Sequence, residues 1–496
     1  MDIVAHLGNH NNIDFCQVNI SVTHHHSSSY VHIGIRLPEP QVWNGRLQAG
    51  GGGDFATGMF FWDKALQQNW AIACTNGGHN QNSEVASWAL NEDRSINWDL
   101  LHNFGSRSLV DMIVIGKEIF QQYYRNDGFR TYWRGCSTGG CQGYATAQRY
   151  PHLVDGILAN APAIRFTHIV TGGFLPQLLM QMHGTFMSRC EWSYVQQKAI
   201  EHCDKLDAAL DGILEDPSLC DFDPHSLADG NHTFCCEGQD EAVECTVKMA
   251  ELAEQMHKGP AWSSDVDVFS GFAYGIDMGA VANITISEDG VRSQSPYGAA
   301  ASWLKYLVLK DPAFNLTTLD ETRYAQLAIQ ATYEFGGLLD TSTPDLSALR
   351  EAGTKLFTWH GLDDQIIPVR NTIEYRKQVE GVMGGAEEVN EYYRLFLAPG
   401  GKHCNRGRGP VPTDPLQTLV DWVERGVPPR ELWAKNVYQE AKNSSATELW
   451  IRNLCLWPQK QNYVGGNARD ASSWTCTNQN TVSITGDDEP QVALDE

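Results

Sequence analysis

Positive charge is scarce in this chain: 36 Lys and Arg stand against 60 Asp and Glu, a net charge of -24 over 496 residues. Such an excess repels phosphate backbones and anionic headgroups, which argues against nucleic acid and membrane surfaces as partners. Long apolar runs are missing too. The nearest, 168–187, is broken by Gly, Pro and His, so no segment reads as a bilayer-spanning helix. The first residues, Met1 to His6, have neither the basic stretch nor the apolar core of a signal peptide, and none is expected in this chain. No internal repeat is evident. No Gly-Lys-Ser or Gly-Lys-Thr follows the glycine run 50–53, so a phosphate-binding loop is not expected there. What the chain does have is 42% hydrophobic residues, enough for a large core, and 13 cysteines, an odd number that leaves at least one without a partner. A cysteine count of this size suits an oxidising compartment. Five N-x-Ser/Thr sequons, at Asn19, Asn231, Asn283, Asn315 and Asn443, permit glycosylation.

The motif with most chemical content is Gly135-Cys136-Ser137-Thr138-Gly139, a G-x-S-x-G sequence. Phe129, Thr131, Tyr132 and Trp133 predict a short strand before it, and Gln142 to Arg149 a helix after it. Strand, tight turn and helix are what a nucleophile elbow requires, and glycines on both sides of the serine let the backbone turn without clashes. Far downstream stands His403-Cys404. If His403 reaches the Ser137 hydroxyl, the neighbouring Cys136 and Cys404 are brought close enough for a disulfide between the two segments.

Between them, 357–368 reads as a second core strand running into a loop that begins at His360-Gly361 and carries two carboxylates, Asp363 and Asp364. One of the two is expected to orient the histidine. Serine, acid and histidine in that chain order predict an α/β-hydrolase fold, since chymotrypsin and subtilisin use other orders. A tetrahedral oxyanion needs fixed N–H donors. The Thr138 amide is one candidate, and Gly51 and Gly52, after the predicted strand 46–49, are the others.

Four stretches together resemble the tannase and feruloyl esterase family: Gly-Cys-Ser-Thr-Gly-Gly-Cys-Gln-Gly at 135–143, Trp-Asn-Gly with Gly-Gly-Gly-Gly within 43–53, His-Gly-Leu-Asp-Asp at 360–364, and Gly-Gly-Lys-His-Cys at 400–404. The resemblance spans about Cys16 to Cys476. It implies Ser137 as nucleophile, Asp364 as acid and His403 as base. It also implies disulfides joining Cys136 to Cys404, Cys16 to Cys74, Cys203 to Cys220, Cys236 to Cys245 and Cys455 to Cys476, with Cys141, Cys190 and Cys235 unassigned. The carboxylates of 204–213 offer hard oxygen ligands on a tight loop. By resemblance they hold a structural calcium ion through the side chains of Asp204, Asp207 and Asp211 and the carbonyls of Ala209 and Ile213. No organic cofactor is implied. The resemblance further implies secretion and a small phenolic or plant-polymer-linked ester as substrate. A specialised ester or lactone hydrolase, a serine peptidase on the same fold and a non-catalytic phenolic- or glycan-binding homologue are the alternatives. Cys141 stands where many relatives carry Arg, and Asn76-Gly77-Gly78-His79 where Asp-x-Gly-His is common.

Ser137 and Asp364 are separated by far more chain than a hydrolase core places between them. The segment 165–340 is therefore expected to be an inserted lid, irregular in structure, with 1–164 and 341–496 forming the discontinuous catalytic domain. The lid should begin after a core strand at 156–160 and end before Thr343-Pro344, which is expected to open the helix leading to the next core strand. The acidic tail after about Asp487 is expected to be mobile.

Overall fold

The computed structural model describes residues 1–10, 13–25, 27, 29–58, 62–79, 85–236, 242–259, 271–404, 407–439 and 447–478. The sequon at Asn443 and the tail after Asp487 lie outside them. Asn19, Asn231, Asn283 and Asn315 are exposed.

Nine strands form the central sheet: β1 (Asp2–His10), β2 (Ile13–Val22), β3 (Val31–Pro38), β4 (Arg46–Gly50), β5 (Ala71–Thr75), β6 (Arg130–Ser137), β7 (Gly156–Pro162), β8 (Lys355–Gly361) and β9 (Tyr393–Ala398). Their order is β1-β2-β3-β5-β4-β6-β7-β8-β9. The first three strands join the sheet antiparallel and the remaining six run parallel. Parallel strands need crossovers that cover both faces, so their residues are buried on both sides. Adjacent positions show this. Trp133 and Ile157 enter one core with Met112 and Phe120 of helix α1 (Ser108–Tyr124), Tyr144 of α2 (Thr138–Arg149) and Val379 of α3 (Val369–Met383). Tyr132 and Leu158 enter the opposite core with Leu416, Leu419, Val420 and Trp422 of α4 (Pro415–Arg425). Helix α4 follows the sequence rule for a surface helix. Asp414 caps it by accepting from the Gln417 N–H at 3.3 Å, Pro415 opens it, Gly426 closes it in the left-handed region, and its apolar residues recur at helical spacing. Each buried Leu or Trp on that stripe contributes about 2 kcal/mol.

None of the described residues between β7 and β8 joins this sheet. They form a third core of their own, around Leu178, Trp192, Trp303, Tyr324 and Phe335, which also takes in Phe55 and Ile367 from the loops beside Ser137 and Asp364. The segment is largely helical, with helices at Leu175–His183, Arg189–Cys203, Val247–Lys258 and Glu321–Leu339, and not the irregular cap expected. Thr343-Pro344 lies before the helix Ser347–Ala352 without opening it.

Four disulfides are present: Cys136–Cys404, Cys190–Cys236, Cys203–Cys220 and Cys455–Cys476. Two expected bridges are absent. Cys16 of β2 lies opposite Leu37, Cys74 of β5 lies opposite Gly34, and β3 runs between them. Strands two apart are separated by about 10 Å, beyond the reach of a disulfide. Cys245 is a buried free thiol, because the hairpin register places Glu244 opposite Thr233 and the Cys245 N–H on His232 O at 3.1 Å, four residues short of Cys236. Cys236 pairs instead with Cys190, the first turn of a helix.

Candidate active site

Ser137 ends β6 and precedes α2 with φ 64° and ψ -125°, a left-handed conformation that an L-residue adopts at a cost of order 1–3 kcal/mol. The surrounding glycines make the turn possible. A Cβ on Gly135 would lie 2.2 Å from Gly139 O, and one on Gly139 would lie 2.8 Å from Gly52 O. The Ser137 hydroxyl caps no helical N–H. It faces a cavity of about 720 Å³ that is also lined by His403, Cys136 and Cys404.

His403 Nδ1 lies 2.8 Å from Asp364 Oδ2. The same oxygen lies 3.0 Å from Nε2 of His360, a fully buried histidine on β8. His360 Nε2 also approaches Ile367 O at 3.1 Å. Both neighbours are acceptors, so Nε2 carries the proton, and Nδ1 accepts from the Thr372 hydroxyl at 2.9 Å. Asp364 Oδ1 accepts from the N–H groups of Ile366 and Ile367 at 2.9 and 2.8 Å. Burial alone would raise this carboxyl, but His403 and the donated hydrogen bonds outweigh it and hold it well below the usual carboxylate range. Sequence reading missed His360 as a second partner of Asp364. The signal was present, since His-Gly-Leu-Asp-Asp places the histidine four residues before the acid.

The neighbouring Asp363 points elsewhere. Its Oδ1 is buried without a hydrogen-bond partner and packs against Gly275, where a Cβ would lie 2.1 Å away. Burial pushes this carboxyl up to about 6, with Arg408 and Lys402 only partly opposing. The two acids thus give opposite expectations. Asp364→Asn should cut kcat by about 10⁴-fold, because the amide no longer fixes the imidazole tautomer. Asp363→Asn should spare turnover and stabilise the fold at neutral pH. The sign follows from the raised folded pKa: the neutral form is favoured in the fold, so wild-type stability falls as pH rises from about 4 to about 6, by roughly 3 kcal/mol. Chemical melts of Asp363→Asn against wild type at pH 4 and pH 7 check this, and an equal difference at both would contradict it.

The glycine loop corrects one expectation. The Gly51 N–H donates to Arg134 O at 3.0 Å and the Gly52 N–H to Gln142 Oε1 at 2.9 Å, so neither is available to an oxyanion. These glycines are present for closeness. A Cβ on Gly51 would lie 2.6 Å from Gly139 Cα, and one on Gly52 1.8 Å from Ala56 O. Gln142 of α2 ties the loop to the nucleophile helix, since its Nε2 also donates to Thr57 O at 3.0 Å. The Thr138 N–H opens α2 and has no partner within the helix. On the other side of Ser137 lies a smaller apolar recess of about 40 Å³, lined by Phe55, Phe166, Ile169, Val170 and Phe272. Tyr297 from the inserted segment donates its hydroxyl to Asp54 Oδ1 where the recess and the cavity meet.

In the acidic loop, Asp204 Oδ1 accepts from Gly212 N at 2.8 Å, Asp207 Oδ1 from Ala209 N at 3.0 Å and Asp211 Oδ1 from Ile213 N at 3.0 Å. Asp211 Oδ2 meets Arg452 Nη2 at 2.7 Å. Glu215, which sequence reading overlooked, is buried with both oxygens lacking hydrogen-bond partners. Burial raises Asp204 and Asp207, lifts Asp211 to about 6 and sends Glu215 well above its ordinary value. These four acids share one loop, with Arg452 2.7 Å from Asp211 Oδ2 and 3.9 Å from Glu215 Oε1, and no three of their oxygens converge within 4.8 Å of one another.

The profile of the family described as "Tannase and feruloyl esterase" matches residues 16–477. A probable feruloyl esterase of Arthroderma benhamiae is 39% identical over 469 residues, 94% of this chain and 86% of that protein. Feruloyl esterase C of Talaromyces stipitatus is 30% identical over 93% of this chain and 86% of its own length. Among solved structures, feruloyl esterase B from Aspergillus oryzae superposes with TM-score 0.77 at 26% identity, covering 94% of this chain and 90% of its own. Tannin acyl hydrolase from Aspergillus niger shares the fold with TM-score 0.84 at 22% identity, over 96% and 90% of the two chains. With the elbow, the acid–histidine pair and the bridging disulfide assembled at one cavity, this chain belongs to the tannase and feruloyl esterase family and is a carboxylic ester hydrolase.

Proposed function

We propose that the chain hydrolyses esters of hydroxycinnamic acids through an acyl-enzyme on Ser137. The observation that carries this reading is the His403–Asp364 pair at the cavity that Ser137 faces, with an aromatic-lined apolar recess alongside. His403 Nε2 takes the Ser137 proton as Oγ attacks the ester carbonyl. Asp364 holds the proton on Nδ1 and stabilises the imidazolium. Collapse of the tetrahedral intermediate expels the alcohol, which receives its proton from His403. Water, deprotonated by the same histidine, then releases the acid. The Thr138 N–H, at the start of α2, serves the oxyanion.

The recess favours a cinnamoyl over a galloyl ring, because its wall is mostly apolar and its polar side chains Asp54, Thr138, Tyr297 and Gln365 already hydrogen-bond within the protein, so three phenolic hydroxyls would compete for engaged partners. A panel of methyl ferulate, methyl caffeate, methyl gallate and a short alkyl ester, compared by kcat/KM, tests it. Methyl ferulate should lead methyl gallate by at least about tenfold. A gallate preference would reverse the assignment.

The segment 165–340 acts as the lid that supplies the recess, over a catalytic domain of 1–164 and 341–496. The disulfides fit an oxidising compartment, and secretion toward plant-derived esters is part of this reading. Calcium held by Asp204, Asp207, Asp211 and the carbonyls of Ala209 and Ile213 would neutralise the loop, which Arg452 links to the strand Thr447–Cys455. Chelation should lower the melting temperature, since an ion that binds only the folded state contributes about 4 kcal/mol at a thousandfold excess over Kd. Turnover per folded molecule should change far less. An unchanged melt after exhaustive chelation would reject the site.

A further inference from the structure

The chain gathers cations at a place far from the site described above. At the end of the sheet opposite Ser137, a cavity of about 230 Å³ opens where β6, β7 and β8 begin. Its charged wall is Lys117 of α1, Arg130 at the start of β6, His152, Asp155 just before β7 and Lys355 at the start of β8. It shares no residue with the cavity or the recess beside Ser137. The length of β6, about 23 Å at 3.3 Å per residue, lies between Arg130 and Ser137.

Local structure accounts for only part of this cluster. Lys117 Nζ donates to Leu153 O at 2.8 Å and Lys355 Nζ to Glu391 O at 2.9 Å, so each satisfies a carbonyl at the end of a short helical turn. An ammonium has three N–H groups, and these bonds take one from each. Among the described residues, the one ion pair within the pocket joins Arg130 Nη1 to Asp155 Oδ1 at 2.7 Å. Asp155 Oδ2 accepts from the Thr131 N–H at 2.7 Å, so both oxygens of this acid are engaged.

Three permanent cations therefore face one carboxylate, on a chain whose net charge is -24. Burial pushes both half-buried ammonium groups down, with Asp155 only partly opposing at Lys117 and Glu391 at Lys355. His152, exposed on the same wall, offers a ring N–H. An anion relieves the excess of positive charge, and the donors select its class. Lysine is a point charge with rotatable donors, which suits the several oxygens of a tetrahedral group, whereas a planar carboxylate is matched by a free arginine fork. Arg130 already commits Nη1 to Asp155.

We propose that Lys117, Arg130, His152 and Lys355 form a binding site for a doubly charged tetrahedral oxyanion, a phosphate or sulfate group, at the base of the sheet. The site is independent of the ester chemistry, and its occupancy joins α1 to the starts of β6 and β8.

The test follows the melting temperature of the full chain with inorganic phosphate, inorganic sulfate and glucose 6-phosphate, each against sodium chloride at equal ionic strength. An ion that binds only the folded chain raises the midpoint with a defined half-saturation, whereas the general stabilising action of these salts reports no particular residue. A saturable rise with the inorganic ions is expected, and a rise confined to glucose 6-phosphate would assign the same site to a phosphate ester. Lys117→Gln and Lys355→Gln should each raise the half-saturation concentration by about tenfold or more, as loss of a charge-assisted contact does. Arg130→Gln, at a side chain 53% exposed, gives the same reading without risk to the core. Lys248→Gln, an equal change of charge at an exposed helix start elsewhere, should leave it unmoved. No saturable rise with any of the three probes, or the same half-saturation in wild type and all three pocket variants, overturns the site.

Discussion

Ser137→Ala is expected to abolish ester turnover while leaving the fold as stable as wild type. The hydroxyl makes no cap on α2, and the serine already sits at φ 64°. Alanine therefore inherits the same backbone strain and loses no structural hydrogen bond. Catalysis has no such reserve. Without Oγ there is no acyl-enzyme, and removal of an essential triad member costs about 10⁴- to 10⁶-fold in kcat. Single-turnover kinetics on methyl ferulate together with a thermal melt check both halves. Turnover within tenfold of wild type would mean that the elbow is not the nucleophile.

The double substitution Cys136→Ala with Cys404→Ala is expected to lose about 100-fold in kcat at temperatures where the protein remains folded. The bridge spans 268 residues, with Cα atoms 6.0 Å apart. Chain entropy alone gives roughly 5 kcal/mol as an upper figure for its effect on stability. Its position matters more. Each sulfur belongs to the residue next to a triad member, and Cys404 Sγ lies 3.6 Å from His403 Nε2. The backbone at Cys404 is itself left-handed, with φ 54°. Without the bond, His403 keeps its Asp364 contact but loses the tether to the Ser137 segment, and a drift of about 1 Å costs on the order of 100-fold in rate. Activity assayed well below the melting midpoint separates the two effects. Full activity with both cysteines replaced would show that β6 and the Asp364 loop alone fix the geometry.

The parts of this architecture that sequence made legible are those set by local rules. The elbow required glycines on either side of a serine between strand and helix, and its chain order relative to Asp364 and His403 pointed to the hydrolase sheet. The Cys136–Cys404 bridge followed from the same reasoning, since two catalytic side chains that meet carry their neighbours with them. Legibility failed where distant strands decide. Cys16 and Cys74 are kept apart by β3, and nothing local to either cysteine reports which strand lies between them. Cys190 reached Cys236 through the packing of a helix on a hairpin. Gly51 and Gly52 looked like oxyanion donors until Gln142 and Arg134 were seen to accept their N–H groups. His360 was visible as a residue but not as a partner, because its contact with Asp364 depends on how the chain turns after β8.

The central claim is that Ser137 is the acylated nucleophile of an ester hydrolase. Titration with an aryl phosphonate ester, followed by peptide mass mapping, tests it most directly, because the phosphorus bonds to the serine oxygen with loss of the aryl alcohol and the adduct does not turn over. The account predicts one adduct per chain, on the peptide containing Ser137, with loss of methyl ferulate hydrolysis in proportion to labelling and no labelling of Ser137→Ala. Stoichiometric inactivation with the adduct on another residue would contradict it.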